Sequence, residues 1–229
     1  MERPKVNPKI SVVICTLNEA SNLPYVLPRI PDCVDEVLLV DGHSTDGTAE
    51  VAKKLREDVR IINQPGKGKG DALRYGIQQA TGDIIVTLDA DGQMDPGDIP
   101  SFITALETGY DFAKGTRFRR PFSRVRPLHR IAGNWLITLT FDILFLRSYT
   151  DICSGYNAFR KEAVLSAGLF CADGLADEPF LHARVSKAGL HVVEVPHRDL
   201  PRIAGESKSP GWRQGYGAIK SIVRERFRG

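Results

Sequence analysis

The sequence contains no apolar run long enough to cross a bilayer and no closely spaced pair of cysteines. Its longest apolar stretch, residues 131–146, is about four residues shorter than the roughly 20 that a membrane-spanning helix needs. The four cysteines form no Cys-x-x-Cys pair, which argues against a zinc ribbon or a dithiol redox motif. Residues 1–9 are polar and include two prolines, so they lack the apolar core of a signal peptide. We therefore expect a cytoplasmic protein with free thiols.

The composition is that of an ordinary globular protein. Hydrophobic residues make up 42% and charged residues 26% of the sequence, so neither a disordered nor a low-complexity class fits. A length of 229 residues suits one large α/β domain, whereas two separate domains would each have a poor core. We expect a single domain over residues 1–229, with a first half at about 9–118 and a second half at about 119–229.

Positive charge is concentrated in the second half of the chain. The net charge is only +3, but residues 114–147 carry +7 and residues 197–229 carry +5. Such a surface attracts phosphate groups, nucleic acid or an anionic membrane, and charge alone does not choose among them.

The first half alternates between apolar runs of strand length and helical segments. The apolar runs are continuous rather than alternating, which is typical of parallel strands that helices cover on both faces. Capping residues and a first-turn proline mark the helix starts. The pattern predicts a βαβ unit with strands at residues 10–15, 37–40, 59–62 and 84–88 and helices at about 45–56, 69–82 and 95–108.

The second half is less regular. Residues 131–146 are predicted to form an amphipathic helix, because Asn134, Thr138 and Asp142 recur at four-residue spacing as one polar ridge. The final helix has apolar residues at helical spacing beside basic residues, as an interfacial helix has, but packing against the domain explains this equally well. Further elements are predicted at residues 112–114, 178–188, 191–195 and 212–227.

Acidic residues directly follow two of the predicted strands. Asp89 and Asp91 come after one strand at alternate positions, which point to the same side. Asp41 follows another strand in the same way. The carboxyl ends of parallel strands meet at one sheet edge, where α/β folds bind ligands. Although a lone Asp-x-Asp is more often a solvated turn, we expect these three carboxylates to gather around a divalent cation or donor groups.

A glycine-rich segment, Gly-Lys-Gly-Lys-Gly at residues 66–70, precedes a predicted helix. Backbone amides, a positive helix end and the ammonium groups of Lys67 and Lys69 could bind an anion there. The segment is not a P-loop, because no Gly-Lys-Ser/Thr follows, and Asp71 stands where a dinucleotide fingerprint needs its third glycine. A flexible basic loop is an equally good explanation.

Four ordered segments in the first 118 residues resemble the family 2 glycosyltransferases with the type-A fold. They are SVVICTLNE at 11–19, VDGHSTDGT at 40–48, GKGKGDAL at 66–73 and LDADGQ at 88–93. Four motifs in order are far more specific than any one of them. The resemblance implies a Rossmann-like, mostly parallel sheet flanked by helices. It also implies inverting transfer of a hexose from a nucleotide-diphosphate sugar, such as GDP-mannose or UDP-glucose.

The same resemblance implies roles for residues on the donor side. The residues placed around the nucleoside are Thr16, Leu17, Asn18 and Glu19, with Asp41 at its base.

The implied metal site holds Mg²⁺ or Mn²⁺ on Asp89, Asp91 and Gln93, and Asp89 also belongs to the donor site. The ion would neutralise the donor diphosphate and stabilise the leaving group. Lys67 and Lys69 would add positive charge there.

Three segments of the second half resemble the polyprenyl-phosphate branch of the family, typified by dolichol-phosphate mannosyltransferases. They are GTRF at 115–118, SGYNAFR at 154–160 and RIAGESK at 202–208. The resemblance implies a polyprenyl or dolichyl phosphate acceptor. It places Arg117, Arg202 and Lys208 at the acceptor phosphate, with Arg160 as a weaker candidate.

The chemistry of the acceptor decides whether a general base is needed. A phosphate monoester, with a second pKa of about 6, is already an anionic nucleophile at neutral pH, whereas a sugar hydroxyl normally needs a base. Asp177 and Glu178 lie where other family members carry a catalytic acid, but a helix cap and a first-turn acid explain them equally well. The predicted catalytic residues are Asp91, Arg117, Asp177 and Glu178.

Three other functions compete with this prediction. The nearest is a soluble hexosyltransferase that acts on a hydroxyl of a small molecule or glycan. A sugar nucleotidyltransferase would share the metal and nucleotide requirements. A nucleic-acid binder is disfavoured, because the sequence has no recognisable aromatic stacking motif, so we expect no nucleic-acid partner. Peripheral membrane contact through the final helix, or a membrane-anchoring partner, is a further hypothesis.

Overall fold

The computed structural model describes residues 8–119, 126–169, 178–205 and 211–228, with the side chains of residues 211–214 excepted. The strands are β1 (Ile10–Thr16), β2 (Glu36–Asp41), β3 (Arg60–Asn63), β4 (Ile84–Asp89), β5 (Phe112–Thr116), β6 (Asn157–Arg160) and β7 (Val192–Pro196). The α-helices are α1 (Thr48–Leu55), α2 (Lys69–Gln79), α3 (Ile99–Glu107), α4 (Leu128–Phe145), α5 (Lys161–Ser166), α6 (Glu178–Lys187) and α7 (Gly211–Phe227). Short 3-10 helices occur at Leu23–Tyr25, Leu27–Arg29 and Pro96–Asp98.

The strands in the described ranges form one seven-stranded sheet in the order β3-β2-β1-β4-β6-β5-β7. Strands β1 to β4 pair in parallel, and β5 pairs in parallel with β7. Strand β6 is inserted between β4 and β5 and runs antiparallel to both. The predicted mostly parallel α/β sheet is therefore confirmed.

Each face of the sheet is covered by its own layer of helices. On one face the 3-10 helices, α1 and α3 pack against alternate strand residues such as Val12 and Ile14. On the other face α2, α5 and α6 pack against the intervening residues such as Val13 and Ile85. Because β1 contributes to both cores, its sequence is apolar at successive positions instead of alternating.

Helix α4 confirms the predicted amphipathic helix, but its polar side faces the protein. The buried Thr138 hydroxyl accepts a hydrogen bond from the Ile152 amide, and the Asp142 carboxylate accepts one from the Tyr149 amide. Beside them, Ile137 packs with residues of α6 and α7 in a third apolar cluster. The other side of α4 leaves large apolar side chains exposed, namely Leu128, Trp135, Leu136, Leu139 and Ile143.

The helices of the structure agree with the prediction that the apolar run at residues 131–146 is too short to span a bilayer. Within the described ranges, no helix combines the length and apolar character needed to cross a membrane.

Candidate active site

The carboxyl ends of β1, β2 and β4 meet at one edge of the sheet, as the sequence predicted. Asp41 ends β2 and Asp89 ends β4, but β1 lies between the two strands. The Asp41 carboxylate accepts hydrogen bonds from the Ser44 amide at 2.9 Å and the Ser44 hydroxyl at 2.6 Å. Asp41 therefore lies at the predicted sheet edge, but its strand is separated from that of Asp89 by β1. The Ser44 donor groups already satisfy the Asp41 carboxylate.

The segment after β1 is joined to the segment after β2 by side-chain hydrogen bonds. Asn18 has a positive φ of 54°, which asparagine tolerates better than most residues. Its side-chain oxygen accepts a hydrogen bond from the Thr45 amide at 2.8 Å. The Glu19 amide donates to the Thr48 hydroxyl at 2.9 Å. The predicted nucleoside residues therefore form an ordered rim, from which the Leu17 side chain is exposed.

Asp89 and Asp91 lie together at the end of β4, and each carboxylate contacts a cation of the protein. Lys69 Nζ is 2.7 Å from Asp89 Oδ1, and Arg202 Nη2 is 2.5 Å from Asp91 Oδ2. Burial, and then the charge of Asp89, raise the pKa of Asp91, although the Gln93 amide and Arg202 act in the opposite direction. Negative charge at this site is therefore costly, and a further cation would relieve that cost.

The segment at residues 198–204 lies across this acidic turn. Arg202 reaches Asp91 from it, and the neighbouring Ile203 side chain packs so closely that a Cβ on Gly92 would lie 2.7 Å from it. The Leu200 amide donates to the Gln93 carbonyl at 2.9 Å. Arg202 was predicted to contact the acceptor phosphate, whereas its contact in the structure is with the candidate metal ligand Asp91.

Lys69 also joins the donor side of the site to α6. Its ammonium lies 2.6 Å from Glu178 Oε1 as well as 2.7 Å from Asp89. Desolvation acts to lower the pKa of Lys69, but the charges and hydrogen bonds of the two carboxylates outweigh it and hold that pKa well above its ordinary value. A Cβ on Gly155 would lie within 3.0–3.2 Å of all three groups, so glycine leaves them room to meet.

The side chains at this turn fit a divalent cation that takes part of its coordination from a ligand. Asp89 and Asp91 offer carboxylate oxygens, the ligands that Mg²⁺ and Mn²⁺ prefer. Gln93 contributes its backbone to the turn, where its amide donates to Asp91 at 3.0 Å. Among the described residues, no three His, Cys, Asp or Glu side chains are grouped closely enough to hold a metal alone. Diphosphate oxygens and water would have to complete the coordination.

Arg117 is engaged in a buried ion pair next to the site. Its Nε and Nη2 donate to the two oxygens of Asp151 at 2.6 and 2.7 Å. Although burial opposes both charges, Arg117 holds the pKa of Asp151 well below its ordinary value, and Asp151 raises the pKa of Arg117. The predicted phosphate contact of Arg117 is therefore left to the N–H groups that Asp151 does not use, which are the two on Nη1 and the second one on Nη2.

A cavity of about 990 Å³ opens from the cluster of Lys69, Asp89 and Glu178. Apolar side chains from α4, α6 and α7 line it, and basic side chains share the wall. Two of the basic residues, His129 and Arg130 in the first turn of α4, had no predicted role. The lining residues include Leu136, Ile137, Leu181, Ile219, Arg126, His129 and Arg130.

Other predicted residues lie elsewhere. Lys67 is exposed on the loop before α2. Arg160 pairs with Ile84 at the opposite end of β4, so it is far from the acidic turn and is not a phosphate ligand. Asp177 and Lys208 lie outside the described residues.

The amino-acid sequence matches a known protein family. Residues 11–167 match the family model for glycosyl transferase family 2. The chain belongs to this family. The predicted family and enzyme class are therefore confirmed, and the nucleotidyltransferase and nucleic-acid-binding alternatives lose their support.

Relatives of this glycosyltransferase cover nearly its whole length. An uncharacterised glycosyltransferase of Mycobacterium tuberculosis is 34% identical over 214 residues, which is 90% of this chain and 92% of the relative. The undecaprenyl-phosphate mannosyltransferase of Micrococcus luteus is 32% identical over 230 residues, with 94% and 93% covered. The predicted likeness to the polyprenyl-phosphate branch is thus confirmed as a likeness.

Solved structures confirm the type-A fold of this glycosyltransferase. Glucosyl-3-phosphoglycerate synthase of Mycobacterium tuberculosis, crystallised with Mn²⁺, UDP-glucose and phosphoglyceric acid, superimposes with a TM-score of 0.74. The two sequences are 23% identical, and the match covers 97% of this chain and 81% of the synthase. At this identity the likeness concerns the fold.

Proposed function

We propose that the protein transfers a hexose from a nucleotide-diphosphate sugar, of the GDP-mannose or UDP-glucose type, to a polyprenyl or dolichyl phosphate, with inversion at the sugar carbon. The observation that carries this proposal is the cavity that opens from the acidic turn and continues between α4, α6 and α7. Its wall combines basic with apolar side chains, which an acceptor with a phosphate head and an isoprenoid tail requires. The undecaprenyl-phosphate mannosyltransferase relative supports the same acceptor class.

On the donor side, Asp89 and Asp91 would hold Mg²⁺ or Mn²⁺ beside Gln93. The bound ion supplies charge neutralisation to the diphosphate and stabilises it as a leaving group. Lys69 and Arg202 contact these carboxylates directly, so both would lie within reach of the diphosphate. The nucleoside would rest on the rim formed by residues 16–19.

On the acceptor side, the basic wall of the cavity would hold the phosphate. His129 and Arg130 line the cavity, and neither forms an ion pair within the described part of the chain. We add these two side chains to the predicted acceptor-phosphate contacts Arg117 and Lys208, and we move Arg202 from the acceptor phosphate to the donor diphosphate because it contacts Asp91. A phosphate oxygen is anionic at neutral pH, so its attack on the sugar carbon requires no removal of a proton by the protein.

A hydroxyl acceptor is the second candidate, because Glu178 lies beside the donor site. Its carboxylate is bound to Lys69, which in turn contacts Asp89. A carboxylate at this position could accept the proton of an attacking hydroxyl once Lys69 moves away.

Peripheral membrane contact is proposed for the exposed apolar face of α4. Its members Trp135 and Ile143 are 65% and 66% exposed, and Tyr216 and Phe227 of the neighbouring α7 are 70% and 77% exposed. Basic residues of the second half would face anionic headgroups around this apolar face. We therefore extend the predicted interfacial contact from the final helix to α4, on the cytoplasmic face of a membrane.

The proposed function is tested with a panel of UDP- and GDP-sugars and Mn²⁺, with and without a short polyprenyl phosphate. We expect a glycolipid product that requires metal and is lost in Asp91→Ala. Release of nucleoside diphosphate with a soluble hydroxyl acceptor but without glycolipid would favour the second candidate. Loss of that product in Glu178→Gln, with donor binding intact, would then assign the base. Failure to bind any nucleotide sugar would contradict both.

A further inference from the structure

The two carboxylates of the acidic turn are each bound to a cation from a different part of the chain. Lys69, at the start of α2, lies 2.7 Å from Asp89, and Arg202 lies 2.5 Å from Asp91. Both contacts are charge-assisted hydrogen bonds, and the one from Arg202 is shorter than the usual range. The positive charge that a divalent ion would bring is thus already supplied, in part, by two side chains.

These contacts compete with metal binding. A divalent ion bound to Asp89 would have to approach the Lys69 ammonium, and two cations at such a distance repel each other in a partly desolvated site. An oxygen that accepts a short hydrogen bond from an ammonium is also less available as a metal ligand. Removal of either basic side chain should therefore strengthen binding of the metal alone.

We propose that Lys69 and Arg202 hold the place of the divalent cation in the donor-free protein and leave Asp89 and Asp91 when the metal and the donor diphosphate arrive together. The diphosphate brings the negative charge that the displaced side chains then contact. Metal and nucleotide consequently bind with positive coupling, because each offsets the loss of the ion pairs. The inference rests on the proposed donor class and is independent of the acceptor.

The position of Lys69 extends the coupling to the acceptor side. The same ammonium binds Glu178 at 2.6 Å, so a movement of Lys69 that breaks both contacts also releases the first residue of α6. Gly155 provides the space in which these three groups meet. Loading of the donor site would in this way free the Glu178 carboxylate, which already lines the cavity, from its ion pair.

The test is a titration with Mn²⁺ alone, followed by electron paramagnetic resonance of the free ion. Lys69→Met and Arg202→Met are compared with wild type. Lys67→Met is the matched control, since it removes the same charge two positions away, from a side chain that forms no ion pair with Asp89 or Asp91. We expect Lys69→Met and Arg202→Met to bind Mn²⁺ about five-fold or more tightly than wild type, and the control to change affinity by less than about two-fold. Asp91→Ala should remove the binding.

A second titration measures the coupling itself. Addition of UDP or GDP should strengthen Mn²⁺ binding to wild type more than to Lys69→Met, because the variant has no Lys69 ion pair to exchange. The inference is overturned if Lys69→Met and Arg202→Met bind Mn²⁺ no more tightly than Lys67→Met, or if wild type shows no coupling to either nucleotide.

Folding of the variants is checked by thermal unfolding. Lys69→Met leaves the carboxylates of Asp89 and Glu178 close together without a counter-charge. If this variant unfolds, the Mn²⁺ affinity of Arg202→Met, compared with that of Lys67→Met, decides whether the inference holds. The outcome is separate from that of the proposed function. Absence of a glycolipid product from wild type would contradict the acceptor proposal and leave the Mn²⁺ titrations unaffected.

Discussion

Arg117 and Asp151 illustrate how one buried pair fixes the second half of the site. Both side chains are nearly inaccessible to solvent and share two hydrogen bonds. Glu194 continues the network, because it accepts a hydrogen bond from the Thr150 amide at 2.8 Å. The loop before β6 is therefore held from two sides.

Removal of one partner from this pair should be strongly destabilising. Asp151→Ala leaves a buried guanidinium without its counter-charge, and we expect the free energy of unfolding to fall by about 3–5 kcal/mol. Denaturant unfolding measures the loss. The control is Asp58→Ala, which breaks the surface pair with Arg56 and should cost less than about 1 kcal/mol. Equal losses in the two variants would contradict this account of the pair.

Gly155 should be required for activity more than for stability. A Cβ at this position would lie 3.0 Å from Glu178, 3.1 Å from Lys69 and 3.2 Å from Asp89, so at least one group has to move. We expect Gly155→Ala to lower kcat/KM for sugar transfer about ten-fold or more, with an unfolding free energy within about 1 kcal/mol of wild type. Steady-state kinetics and denaturant unfolding together check this, and unchanged kinetics would show that the cluster tolerates displacement.

Buried histidine makes stability depend on pH. Desolvation, and then the charge of Lys114, hold the pKa of His182 well below its ordinary value, so the folded protein keeps this ring neutral. The unfolded chain takes up the proton below about pH 6.5, so the free energy of unfolding falls as pH decreases, by up to about 1.4 kcal/mol per pH unit. Burial also lowers the pKa of His197, which adds to the slope.

The measurement is denaturant unfolding between pH 7 and 5 (about the range in which free histidine titrates). We expect His182→Gln to reduce the slope of stability against pH in this window. His191→Gln, which alters an exposed ring, is the control and should keep the slope of wild type. A wild-type stability that rises toward pH 5 would contradict the assignment.

At the scale of single residues, the sequence predicted where Asp89 and Asp91 lie, but it did not predict that Lys69 and Arg202 contact them. Asp89 and Asp91 were found because carboxylates at alternate positions after an apolar strand point one way. Asp41 was placed with them, since the order of strands, which puts β1 between β2 and β4, cannot be read from local patterns. The Arg202 contact with Asp91 spans 111 positions of the chain and carries no local signal.

At the scale of elements, strongly periodic segments were predictable and short ones were not. The four strands predicted at residues 10–15, 37–40, 59–62 and 84–88 differ from the observed strands by at most one residue at each end. Strand β6 was missed, because only Ala158 and Phe159 among its four residues are apolar, and helix α5 follows it at once. Helix α4 was found by its period, but the period does not tell which side is buried. Polar Thr138 faces inward because a backbone amide needs it as an acceptor.

The exposed face of α4 leads to a prediction about membranes. We expect the protein to bind vesicles of anionic lipid at low salt, and Trp135→Glu or Ile143→Glu to weaken this binding about ten-fold or more, because each loses burial of a large apolar side chain. Vesicle sedimentation measures the binding. Leu165→Glu changes an exposed leucine on α5, outside this face, and is expected to bind as wild type does. Equal weakening in all three variants would contradict a role for α4.

At the scale of the whole molecule, the two halves of the sequence are interleaved at the site. Residues 198–204 of the second half lie over the acidic turn of the first, and the 150–156 loop reaches the same sheet edge. The charge pattern indicated donor functions for one half and acceptor functions for the other. In the structure, however, the basic residue Arg202 of the second half contacts Asp91, which was predicted to serve the donor side.

The inserted position of β6 has a consequence for how the protein is made. As the chain leaves the ribosome, β1 to β4 can pair once residue 89 has emerged, but β4 keeps one edge unpaired until residues 157–160 follow. An apolar strand with a free edge is a template for pairing with other chains. If β1 to β4 pair at that stage, the nascent chain exposes the free edge of β4 to other chains, and pairing with β6 covers this edge.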